Sequence, residues 1–177
     1  MQATELDRTN RLRMVPAEYA RRVIACDGLC SRPLDAMELR AFLRRCFEVP
    51  ESEIFVSSDN LVEEALRNVH RDGPFPAFCT YGPVGGDFAA AFSVSADLPL
   101  SGPDALDSQG FVVLLAAQIG CDILCSFGDE PQPWLWTLTR SDGARVLVHL
   151  DEDVDGFDGE PPCPCEYAHR KVVYPES

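Results

Sequence analysis

The chain has 177 residues, 46% hydrophobic and 25% charged, which is enough apolar content for one self-sufficient core and excludes a globally disordered polypeptide. Its formal net charge of −14 is regional: residues 1–50 carry nine Arg against seven Asp/Glu, residues 51–177 carry six Lys/Arg against 22 Asp/Glu, and 72–139 contain no Lys or Arg. Such a surface repels nucleic acid and anionic membrane and attracts cationic partners, so neither nucleic acid nor membrane is an expected partner.

The first residues, MQATELDRTNRLRM, hold no apolar stretch. The longest apolar run, Phe111 to Ala117, falls far short of the roughly 20 residues a bilayer requires. A cytoplasmic protein is expected, and its eight cysteines accordingly read as reduced thiols. Cys46 and Cys79 lie inside apolar patterns as small core residues.

In chain order, residues from Pro16 to Cys26 read as a helix with Tyr19, Val23 and Ile24 inward. A clearer helix runs from about Asp35 to Phe47, where Leu39, Phe42, Leu43, Cys46 and Phe47 form one apolar face and Arg40, Arg44 and Arg45 turn outward. Asp35 and Glu38 have the spacing of a capping box, and Pro50 ends the segment. Ile54-Phe55-Val56 is a short buried strand. Ser57-Ser58-Asp59-Asn60 then caps a second helix bearing Leu61, Val62, Ala65, Leu66 and Val69, closed by Asp72-Gly73-Pro74.

Phe75 to Tyr81 and Phe88 to Ala96 read as antiparallel strands joined by the glycine-rich segment Gly82 to Gly86. A central buried helix is predicted from about Ala105 to Ile119, stopped by Gly120. Cys121 to Phe127 follows as a strand. Trp134 to Arg140 and Arg145 to Leu150 then form a hairpin around an Asp-Gly turn, with Trp134, Trp136 and Leu138 on one face. A helix followed by a strand and a hairpin thus occurs twice before an acidic, Pro-rich tail. The pattern predicts a single α+β domain over 1–177, an antiparallel or mixed sheet with helices packed mainly on one face, and loose order in 1–15 and 156–177.

Few constellations carry chemistry. Asp151-Glu152-Asp153-Val154-Asp155-Gly156 matches the first half of a calcium loop, but an EF-hand requires a bidentate Glu at loop position twelve, where Pro162 stands. Cys163, Cys165 and His169 offer three soft ligands, and Cys121/Cys125 or Cys26/Cys30 could supply a fourth, although zinc sites favour C-x2-C pairs, absent here. On a strand, Cys121 and Cys125 would share a face about 13 Å apart, too far for one metal or a local disulfide. His149 reads as a sheet-surface or satisfied core residue. Asp122, Asp129 and Glu130 flank a strand end, but two loop acids beside prolines are more often solvated than catalytic. The Gly82 to Gly86 segment lacks the Lys of a phosphate loop and opens no helix. No G-x-S-x-G, Walker or H-E-x-x-H sequence is present, and neither an enzyme nor a cofactor is expected.

The amphipathic segment DAMELRAFLRRCFEV, the buried helix running into GCDILCS, and the hairpin PWLWTLTRSDGARVLVHL leading to DEDVDGFDGE together resemble, in size, charge and segment style, the small acidic immunity proteins that bacteria encode beside polymorphic or contact-dependent toxins. The resemblance covers about the last two-thirds of the chain. It implies a protein that binds and neutralises a cognate, basic, nucleic-acid-targeting toxin domain. The expected partner contacts are Asp129, Glu130, Asp151, Asp153, Asp155 and Asp158, with Trp134 and Trp136, at least one tryptophan being alternatively core. Two other classes stand beside it: a small calcium- or zinc-dependent enzyme or metal module, and an adaptor subunit of a larger secretion or phage-related assembly. Oligomeric state is left open.

Overall fold

The computed structural model describes residues 21–99, 107–126, 135–150 and 172–173. Their elements, in order, are β1 (Arg21–Cys30), α1 (Ala36–Phe47), β2 (Ile54–Ser58), α2 (Val62–Arg67), β3 (Ala77–Pro83), β4 (Ala90–Pro99), α3 (Ser108–Ile119), β5 (Ile123–Ser126), β6 (Leu135–Thr139), β7 (Arg145–Leu150) and β8 (Val172–Val173). The strands form one sheet in the order β2-β3-β4-β1-β5-β6-β7-β8. Every neighbouring pair is antiparallel except β2 and β3, so the sheet is mixed, as the sequence predicts for an α+β domain.

The segment expected to open the fold as a helix is instead its central strand. Ile24, Cys26 and Cys30 are buried toward the helices while Ala25 and Asp27, on the alternate positions, are exposed, which is the period of a strand rather than of a helix. Gly28 continues the helix-facing row. A Cβ there would lie 2.8 Å from both Cys125 Sγ and the Phe92 ring, the side chains that stand opposite it on β5 and β4. β1 runs ten paired positions along β4 but three along β5, so it is the seam between the block β2-β3-β4 and the block β5-β6-β7.

α1 follows its apolar periodicity. Asp35 accepts from the amides of Met37 and Glu38, and Glu48 closes the helix in the left-handed region at φ 54°. The Glu38 carboxylate does not reach back to the cap, as a capping box would require; it binds Arg32 at 2.8 Å. α3 starts on an Asp107 cap that accepts from Gly110 N and stops at Gly120, φ 64°. Phe111 is fully buried between the helices and the sheet, with Phe42 edge-on at 5.4 Å and Phe47 stacked at 5.7 Å. Arg40 donates to the carbonyls of Val56 (3.1 Å) and Ile54 (3.5 Å), occupying acceptors of the edge strand β2.

The opposite face of the sheet has its own smaller core of Leu29, Phe88, Leu124, Trp136, Leu138 and Val148. Phe88, in the β3–β4 connection, folds onto it. The apolar face expected for the last hairpin is therefore real, and it faces away from α1 and α3. Among the described residues no helix is long and apolar enough to cross a membrane.

Candidate functional site

The predicted second helix is only six residues long. Its polar leader forms a 3-10 turn, Asp59–Leu61, in which Ser58 Oγ donates to Asn60 Oδ1 at 2.6 Å, and no side chain caps α2 itself. An uncapped helix of this length has little stability of its own and depends on its surroundings. Yet none of its residues is buried. Leu61 just before it is 49% exposed, Leu66 within it 41%, and Val69 just after it 41%.

Leu66 and Val69, but not Leu61, line a groove of about 460 Å³ together with Arg71, Phe75, Phe78 and Ser95. Its aromatic side is packed: Phe55 stacks on Phe78 at 4.7 Å and leans on Phe75 at 5.3 Å. Arg71 lies over the Phe75 ring at 4.9 Å, donates to Ser52 O at 2.8 Å and pairs with Glu53 at 3.3 Å. Its Nε is buried without a hydrogen-bond partner.

The segments that build this apolar ground are rich in carboxylates. Residues 48–97 hold nine Asp/Glu against two Arg, and both arginines are engaged, Arg67 with Glu63 at 3.1 Å and Arg71 with Glu53. Asp59, Glu63, Glu64 and Asp72 are exposed. An exposed apolar cluster in a segment of net negative charge has features of a protein-docking surface.

The residues singled out from sequence fare differently. Asp129, Glu130, Trp134, Asp151, Asp153, Asp155 and Asp158 lie outside the described residues, as do Cys163, Cys165 and His169; of the termini expected to be loose, only Val172–Val173 is described, and it pairs with β7 as β8. Trp136 is 5% exposed and packs in the smaller core, so of the two roles weighed for the tryptophans it fills the core one. Asp122 acts as a turn support: its Oδ1 accepts from Ser141 N at 3.1 Å, and its own amide donates to Ser31 Oγ at 3.0 Å. His149 is an exposed sheet residue paired with Leu135. Of the Gly82 to Gly86 segment, Gly82 and Pro83 are the last paired residues of β3 and the hairpin turn follows from Val84; Gly82 leaves room for Asp59, whose Oδ2 would lie 2.6 Å from a Cβ at that position. The α2 cluster was missed because Leu61, Leu66 and Val69 have the spacing of a buried helical face.

A second concavity, of about 330 Å³, opens at the start of α3, where Cys26, Cys125, Ser108, Gln109, Thr137 and Arg145 meet. Arg145 donates to Gln109 Oε1 at 2.7 Å, and Ser108 Oγ donates to Ala25 O at 3.1 Å. The thiols here meet across strands: Cys26 and Cys125 Sγ are 3.9 Å apart, while at the other end of the seam Cys30 donates its S–H to Cys121. That bond, followed by burial, pushes the Cys30 thiol far up, and the same bond lowers Cys121 with help from Arg32. Among the described residues no three His, Cys, Asp or Glu side chains are grouped to hold a metal ion.

No protein-family model, curated protein or solved structure matches the chain. Its class is therefore given by the fold alone, a single α+β domain.

Proposed function

We propose that this chain is a cytoplasmic immunity or inhibitor protein, a non-enzymatic binder that neutralises a cognate basic toxin domain. The observation that carries the reading is α2 and its flanks: Leu61, Leu66 and Val69 stand exposed in a segment that also exposes Asp59, Glu63, Glu64 and Asp72, and Leu66 and Val69 line a groove with Phe75 and Phe78. The apolar side chains supply contact energy once water is excluded, and the exposed carboxylates favour a cationic partner and speed encounter. Toxin domains that act on nucleic acids need a basic cleft, which is complementary in sign. The acidic segment at Asp151, Asp153, Asp155 and Asp158, with Asp129 and Glu130, adds to the steering field.

The test is growth protection. Each basic protein domain encoded beside this gene is coexpressed with the chain, with and without Leu61→Ser, Leu66→Ser and Val69→Ser together. Protection by the parent and its loss in the triple variant support the proposal. A neighbouring toxin against which the parent gives no protection, or turnover of a small molecule by the purified chain, contradicts it.

A further inference from the structure

Apart from the two-pair contact of β7 with the edge strand β8, the seam between β1 and β5 has the shortest ladder among the described strands. Its ladder comprises Gly28–Cys125, Leu29–Leu124 and Cys30–Ile123. At the Cys30 end it is extended by Ser31 N donating to Asp122 O at 3.0 Å and by Arg32 reaching the Ile119 carbonyl. At the other end Cys26 stands one strand period before Gly28, diagonal to Cys125, and the two sulfurs are 3.9 Å apart. Both border the concavity at the start of α3, which gives them a route to small solutes that Cys30, fully buried, does not share.

We propose that Cys26 and Cys125 form a modification site for low-molecular-weight disulfides, which convert the pair into a disulfide that staples β1 to β5. The Cys26 thiolate attacks one sulfur of the small disulfide, forming a mixed disulfide and expelling a thiolate. Cys125 then loses its proton, and its sulfur attacks Cys26 Sγ, expelling the second thiolate. The protein gives up two electrons and two protons, and the small disulfide leaves as two thiols. The two sulfurs are already in contact, so the second attack follows at the same site; the hydrogen bond to Cys26, followed by burial, pushes the Cys125 thiol up. Closure brings the sulfurs from 3.9 Å to about 2.05 Å, the S–S bond length. The bond ties residues far apart in sequence at the end of a three-pair ladder, so it restricts the unfolded chain and reinforces the seam together.

The full chain is incubated with oxidised glutathione, quenched with iodoacetamide under denaturing conditions and mapped by mass spectrometry. Because 73–139 contain no tryptic site and Cys26 and Cys30 share a peptide, the cross-linked peptides are fragmented to separate Cys26 from Cys30 and Cys121 from Cys125. The first intramolecular disulfide is expected to be Cys26–Cys125, with a rise in the urea midpoint that dithiothreitol reverses. Cys30→Ser retains both results, and Cys26→Ser loses both. If Cys26 and Cys125 remain alkylatable, or if the first bond joins any other pair, the proposal is wrong. The parent protein alone decides this should a variant fail to fold.

Discussion

Arg32 donates from Nε and Nη2 to the single carbonyl of Ile119, at 2.8 and 2.6 Å, while Nη2 also meets the Glu38 carboxylate at 2.8 Å. One guanidinium thereby ties the end of β1 to the last turn of α3 and the first turn of α1. The Ile119 carbonyl is among the last four of its helix and has no partner within it, and a cation placed there also complements the helix dipole. Arg32→Ala should lower unfolding free energy by about 2 kcal/mol, the range for hydrogen bonds to a charged group. Urea denaturation measures the loss, and Arg32→Lys, a point charge without the planar fork, should recover only part of it.

Gly28 is held by packing rather than by backbone conformation. A methyl at that position meets Cys125 Sγ and the Phe92 ring at 2.8 Å, so at least one of these side chains must shift to admit it. Gly28→Ala should therefore destabilise by about 1–3 kcal/mol, as overpacked cores do. Phe92→Leu in the same chain should return part of that loss; denaturation midpoints of the single and double variants check the coupling.

Cys79 is fully buried on β3, and burial, with a smaller contribution from Asp59, pushes its thiol up to about 12. The folded state thus holds the proton more tightly than the unfolded state. The stability this contributes is fully present below the unfolded thiol's pKa near 9 and is lost as pH rises through the window up to about 12. Cys30 and Cys125 are shifted in the same direction and add to the alkaline loss. Cys79→Ala should flatten the fall in stability between pH 9 and pH 11, measured by urea titration under reductant.

Electrostatic steering predicts that association with a basic toxin domain slows as salt rises. Neutralising Asp151, Asp153, Asp155 and Asp158 together should lower the association rate by about tenfold at low salt and much less at high salt, with the dissociation rate nearly unchanged. Stopped-flow kinetics at two ionic strengths separates the two. Equal association rates for parent and quadruple variant would remove the acidic segment from the encounter.

Much of the fold was legible wherever a local period was complete. α1 has five apolar residues at helical spacing with Asp35 before them, and α3 has a run of apolar residues ended by Gly120, so both could be read within a residue or three of their ends. The last hairpin announced itself through its Asp-Gly turn, where Gly143 takes φ 87°. β1 was misread because its helix-facing row uses Cys and Gly, whose small side chains leave little hydropathy contrast, and because Leu29 faces the second core and breaks the alternation. The exposure of Leu61, Leu66 and Val69 was not legible. Spacing shows that three apolar residues share a face; whether the same chain covers that face depends on contacts distant in sequence. The Cys26–Cys125 contact has the same origin, since it exists only through the register that sets Gly28 against Cys125.

The α2 cluster bears the weight of the functional reading, and isothermal titration of the neighbouring basic toxin domain into the parent chain and into the Leu61→Ser, Leu66→Ser, Val69→Ser variant tests it most directly. The account predicts that the variant stays folded, because none of these side chains belongs to the buried core, and that its affinity falls by about a hundredfold or more, the scale of losing a hot-spot cluster. A folded variant that binds as tightly as the parent would contradict it.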